Sequence, residues 1–185
     1  MNHTNPNLIV EKHLESDCSF MERLIFFESI HRIQPHLGIT DRLRVIYLKN
    51  LSHNWPRHRF EEFLEECFYK GDTHCARATL LALPHLKWPE SYVAYAAAGL
   101  RTNIIEIFTA LAHNNIFPAR FFREDAFNQM VLKNLFWNLP CTPILGLKQR
   151  LTPNLIRMVG DYKDELLSAK RSLPKDIHHF LDSPP

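Results

Sequence analysis

The chain has 185 residues, and 22 Lys plus Arg against 20 Asp plus Glu leave a formal charge of +2. That balance gives no reason to invoke nucleic acid or an anionic membrane as a partner, and the length suffices for a core without disulfides or a structural metal. The four cysteines, Cys18, Cys67, Cys75 and Cys141, are widely spaced with no CxxC pair, which predicts reduced thiols and a cytoplasmic address.

The opening "MNHTNPNLIVEKHLESD" has no basic stretch followed by an apolar one, and no segment approaches the roughly 18 apolar residues of a membrane span, so a soluble protein is expected. Residues 1–17 read as an N-terminal segment with some flexibility. Glycine is scarce, 5 residues, while the 12 prolines fall where helical patterns begin or end, which favours helices.

In "SFME", Ser19 and Glu22 have capping-box spacing, so a helix is predicted from about 18 to 36, disturbed near Pro35. Leu43, Ile46, Tyr47 and Leu51 then recur at three- and four-residue steps. Phe60, Phe63, Leu64, Cys67 and Phe68 repeat that spacing after Pro56, with Gly71 as terminator. Asp72 or Thr73 caps "HCARATLLAL", and Pro89 starts "ESYVAYAAAGL", whose small residues allow close helix packing. Asn103 and Glu106 repeat the capping-box spacing, Asp125 caps "AFNQMVLKNLFW", and Thr152–Pro153 opens a helix to about Arg171, with a short one after Pro174.

No alternating strand pattern is sustained. The fold class is therefore all-α: a single domain over residues 18–185 of about nine or ten helices, with antiparallel pairs stacked as a compact bundle or a short α–α superhelix. No 30- to 50-residue repeat decides between these.

On the helix over Glu124–Pro140, Asn128 sits within the arc of Val131, Leu132, Leu135 and Phe136 and is expected to face inward, either to tie a neighbouring turn or to meet a ligand. Lys133 is expected to be solvated or to lie over apolar surface. In the preceding helix Ile104, Ile107, Phe108 and Leu111 form the core face, with Glu106, Thr109 and His113 opposite. Arg101, Asn103 and Glu106 meet at a helix junction, either as a capped helix with a local ion pair or as a clamp for an anionic or polar ligand. Phe117, Phe121 and Phe122 surround a short turn and are candidates for the wall of an apolar pocket. The eleven histidines have no metal-ligand spacing, so no metal is expected. Cys75 beside His74 fits the core rather than a thiol–imidazole pair.

From about Leu80 onward, "LLALPHL…PE", "GLRTNIIEIFTALAHNNIFPARFF", "AFNQMVLKNLFW" and "IRMVGDYKDE" follow one another in an order and spacing that resemble the EboA family. "RLIFFESIHRIQPHLG" carries a looser likeness. These are small helical proteins encoded in bacterial clusters with a UbiA-type prenyltransferase, a TatD-like hydrolase and a sugar-isomerase-like protein. The resemblance implies cytoplasmic handling of a secondary-metabolite precursor on its way to the periplasm, as in the scytonemin pathway. Residues 80–170 are the family-like part; "NNIF" before the Pro–Ala pair, and Phe127 where Trp is commoner, depart from the pattern.

Glu90, Arg101, Asn103, Glu106, Phe122, Asn128 and Lys133 match the family's motifs and are the candidate ligand-binding residues; no catalytic residue is assigned. Asn128 and the Arg101–Asn103–Glu106 group are expected to converge on one pocket. The implied partners are a small apolar or aromatic metabolite and other proteins of the cluster, such as the prenyltransferase, with no cofactor and with oligomeric state open between monomer and homodimer. The alternative is a metal-independent tailoring enzyme with Glu106 or His113 as general base and Arg101 as anion clamp. A purely helical scaffold needs no pocket at all.

Overall fold

The computed structural model describes residues 5–33 and 36–181, and these form helices, turns and irregular connections without a strand. The class is all-α, as the periodicity predicts. The disturbance expected near Pro35 falls outside the described residues. The chain divides into two compact units, 1–111 and 112–185.

The first unit opens with α1 (Pro6–Glu15), inside the segment expected to carry some flexibility. Asn5 Oδ1 caps it by accepting from the Asn7 N–H at 3.0 Å, and Pro6 occupies the first turn, where its missing N–H costs nothing. Next comes α2 (Phe20–Ile33), and its predicted capping box is present. Ser19 N–H donates to Glu22 Oε2 at 2.8 Å while Glu22 N–H donates to Ser19 Oγ at 3.3 Å. The long α3 (Leu37–Asn54) is the hub, packed against α1 and α2 and most extensively against α5 (Thr73–Ala82). Between them α4 (Arg57–Glu65) runs into a π-helical turn, Glu66–Lys70, which stops at Gly71. Asp72 Oδ1 caps α5 by accepting from Cys75 N–H at 2.8 Å.

A 3-10 turn at Pro89–Tyr92 leads into α6 (Val93–Arg101), and α7 (Ile105–Ala112) ends at the division between units. The small residues expected to permit close packing do so: a Cβ on buried Gly99 would lie 2.6 Å from Leu80 Cδ1. At the start of α7 the hydroxyl of Thr102, not Asn103, accepts from Ile104 N–H, at 3.1 Å. Ile107, Phe108 and Leu111 are buried as expected, but Ile104 is exposed, because α7 begins one residue after it.

The second unit contains a one-and-a-half-turn α8 (Phe117–Phe121), then α9 (Glu124–Phe136) and α10 (Pro153–Ser168), which pack together, and a short α11 (His178–Leu181) against α10. Thr152 Oγ1 caps α10 by accepting from Leu155 N–H at 3.2 Å, as predicted for the Thr–Pro pair. Asp125 does not cap α9. The helix starts a residue before it, and the Glu124 carboxylate in that first turn accepts from Thr152 Oγ1 at 2.9 Å. On α9, Val131 and Leu135 are buried, whereas Phe136 is 59% exposed, since the helix ends there and its last turn leaves the packed arc.

All four cysteines are free. Burial pushes the Cys75 thiol up to about 12 and the Cys141 thiol up to about 11, and raises Cys67 well above its ordinary value. Cys18 is partly exposed. Brief treatment of the native protein with iodoacetamide is therefore expected to alkylate Cys18 ahead of the other three, as read by peptide mass spectrometry; equal labelling of Cys75 would contradict this packing.

Two glycine replacements should move stability in opposite directions. A Cβ at Gly71 would lie 2.5 Å from the Cys67 carbonyl oxygen and 2.7 Å from Cys75 Cβ, whereas one at Gly160, inside α10, meets nothing within 4 Å. In urea denaturation Gly71→Ala is expected to cost about 1–3 kcal/mol by overpacking, and Gly160→Ala to gain about 0.5–1 kcal/mol from helix propensity.

Candidate functional site

In the second unit α9 turns two asparagines into the interior, and they meet different fates. Asn134 is fully buried and satisfied. Its Nδ2 donates to the carbonyls of Leu139 at 2.9 Å and Pro140 at 3.1 Å, and lies 3.5 Å from Cys141 Sγ. With Nδ2 turned to carbonyls, Oδ1 must accept, so His113 Nε2, 2.7 Å away, carries the proton. His113, expected on the wet stripe, is thus tied into the unit. Asn128 faces inward as the periodicity predicts and is fully buried, but its Oδ1 has no hydrogen-bond partner and its Nδ2 reaches only Met158 Sδ at 3.8 Å.

Arg150 organises the α8–α9 junction. It donates to the carbonyls of Ala119 at 3.0 Å and Phe122 at 2.9 Å, while its guanidinium carbon lies 4.7 Å from the Phe127 ring centroid. Phe122 is buried edge-on against Phe117, their centroids 6.5 Å apart, and Phe117 packs on Phe121 at 4.8 Å. These rings fill core volume. The helical turn of α8 points Phe117 and Phe122 inward, and neither lines the cavity of residues 141–151.

A cavity of this unit lies along the connection between α9 and α10, which is irregular apart from a 3-10 turn at Lys148–Arg150. It measures about 720 Å³ and is lined by Ile144, Leu145, Leu147, Leu151 and Phe180, with Thr142, Lys148 and Gln149 as polar groups. The fold produces it because α9 ends at Phe136, with Asn138 in the left-handed region at φ 52°, Pro140 and Pro143 oppose a resumed helix, and Gly146, at φ 77°, turns the chain where a Cβ would lie 2.6 Å from Ala119 Cβ. Apolar side chains on this segment thus line an open wall instead of a helix interface. Cys141, which also lines it, is anchored at its N–H, donating to Asp176 Oδ2 at 2.7 Å. Its volume is in the range of small-molecule sites, about 300–1,000 Å³.

The candidate residues fall as follows. Glu90, Arg101, Asn103 and Glu106 belong to the first unit, and all are exposed. The backbone carbonyl of Glu106 accepts from Arg77 Nη1 at 3.0 Å, and Arg77 Nε pairs with Asp41 at 2.9 Å. Phe122, Asn128 and Lys133 belong to the second unit; Lys133 Nζ stands 4.7 Å over the Trp137 ring, and partial burial lowers its pKa. None of the seven lines the cavity at 141–151. The residues that build it carried a legible signal: "LPCTPILGLKQRL" keeps Leu139, Ile144, Leu145, Leu147 and Leu151 apolar across two prolines and a glycine, without helical period.

The chain is thus an all-helical protein with an apolar, ligand-sized cavity set along the α9–α10 connection of its second unit. The profile of the family described as metabolite traffic protein EboA matches residues 32–182, most of the chain, and the chain belongs to that family. The match reaches well before Leu80 and takes in α3 to α6. No curated protein and no solved structure matches the chain. Among the described residues, no helix is long and apolar enough to cross a membrane.

The two asparagines predict contrasting variants. Asn134→Ala strands His113 and two carbonyls and is expected to cost about 2–4 kcal/mol in chemical denaturation. Asn128→Leu removes an unsatisfied oxygen and is expected to stay within about 1 kcal/mol of the parent. A large loss in Asn128→Leu would show that its oxygen is engaged in the native protein.

Proposed function

We propose that this EboA-family protein serves metabolite traffic as a binding protein, holding a small apolar or aromatic precursor in the cavity formed by residues 141–151 and Phe180. The observation that carries the reading is that cavity: its volume, its apolar wall, and the few polar groups at Thr142, Lys148 and Gln149 that would orient a guest. Carriage in the cytoplasm, with a UbiA-type prenyltransferase of the same cluster delivering or receiving the precursor, is the pathway role the family resemblance supports.

Native mass spectrometry of protein purified from cells expressing the whole gene cluster tests it. The expected result is an added mass that matches a pathway precursor and disappears in Leu145→Trp, a variant that fills the cavity from a partly exposed position at little cost in stability. Retention of that mass by Leu145→Trp would place binding elsewhere. Release of a chemically altered mass on incubation would favour the tailoring enzyme over the carrier.

A further inference from the structure

Where α1 ends, the chain brings a thiol against an imidazole. Cys18 lies in the connection to α2, and its Sγ stands 3.7 Å from His13 Nε2. The pairing that adjacent residues 74 and 75 do not offer is reached here at a separation of five, because the helix stops between the two and Cys18 N–H donates back to the Ser16 carbonyl at 2.9 Å. Ser16 Oγ donates to the His13 carbonyl at 2.6 Å, so it meets the sulfur, 2.9 Å away, as an acceptor and holds the thiol proton at rest. Cys18 is partly exposed, whereas the other three cysteines are buried.

The imidazole is fixed from two further elements. Its ring stacks on Phe26 of α2, with centroids 3.7 Å apart and planes 12° from parallel, and its Nδ1 lies 3.1 Å from Tyr47 Oη of α3. Tyr47 is fully buried, and burial pushes its phenol up to about 12, so it faces the ring as a neutral group. Arg23 Nη1 reaches the same hydroxyl at 3.5 Å, from the guanidinium that ties the carbonyls of His13, Leu14 and Ser16. Burial lowers the His13 pKa, Arg23 lowers it further and Glu22 opposes them, so the ring is neutral at physiological pH and able to take a proton. A nucleophile, a base and a third group that orients the base therefore stand in line.

We propose that Cys18 is a modification site, a thiol that exchanges with low-molecular-weight disulfides, with His13 as its base and Tyr47 as a positioning residue. The Cys18 sulfur passes its proton to His13 Nε2 and attacks one sulfur of the small disulfide. A new S–S bond forms to Cys18, the old one breaks, and the departing thiolate takes the proton from the imidazolium. While it lasts, that imidazolium donates from Nδ1 to Tyr47 Oη. The exchange is reversed by a small thiol, and the site lies wholly within the first unit, independent of the cavity at 141–151.

The test is the rate at which glutathione disulfide modifies the full chain, with the site located by peptide mass spectrometry and the rate followed across pH. Modification is expected at Cys18 ahead of the other three cysteines, slowed about tenfold near pH 7 in His13→Gln and about threefold in Tyr47→Phe, which keeps the buried ring. Both deficits are expected to close above about pH 9.5, where free thiols ionise without a base. A change by the same factor at every pH, in either direction, would mean altered access rather than a lost base and would overturn the proposal. So would parental rates in both variants, or preferred modification of Cys67, Cys75 or Cys141.

Discussion

Each helix end leaves main-chain carbonyls that need donors, and a chain of short helices has many such ends. Here buried guanidinium and amide groups supply much of what is needed. Arg23 donates to the carbonyls of His13, Leu14 and Ser16 where α1 ends. Arg44, wholly buried, donates to Phe27 and Glu28 and stacks 5.5 Å over the Phe27 ring. Arg150 and Asn134 do the same at the ends of α8 and α9. Most polar atoms found in this apolar interior are therefore committed to the backbone, and truncating any of these side chains would leave buried or part-buried carbonyls without their donors.

This commitment explains the limits of legibility in the sequence. Helices were readable because the signals that define them are local: Ser19 with Glu22, Asp72 before α5, Thr152 with Pro153, and apolar steps of three and four. The sequence misleads where the decisive partner is remote. Asp125 looks like a cap, but the Glu124 carboxylate in that first turn meets Thr152, which is 28 residues away. Phe136 fits the apolar arc of α9 by angle, yet it is exposed because periodicity does not tell where a helix leaves its packing partner.

The candidate sites were less legible than the fold for the same reason. Asn128 and Asn134 lie on one helix and are both fully buried, and what distinguishes them is the loop that returns beneath Asn134 together with His113, 21 residues earlier. The residues of the larger cavity lie in a stretch whose composition resembles a core helix and whose prolines and glycine forbid one.

Asn128 Oδ1 and Tyr92 Oη, like Asp41 Oδ1, are buried oxygens without a hydrogen-bond partner. The defect alone does not mark a site, since a group can remain unpaired simply because packing around it is tolerable. What separates the two is their surroundings. Asn128 faces a thioether, and its amide and the Met158 sulfur make a contact too weak to repay desolvation. Tyr92 sets its ring edge-on against Phe60 and tilted on Tyr95, so its oxygen is closed to solvent although a cavity runs beside the residue. An orphaned polar atom becomes evidence for a ligand only when open space reaches it and the charge around that space supplies what the atom lacks, and both of these oxygens are closed to solvent.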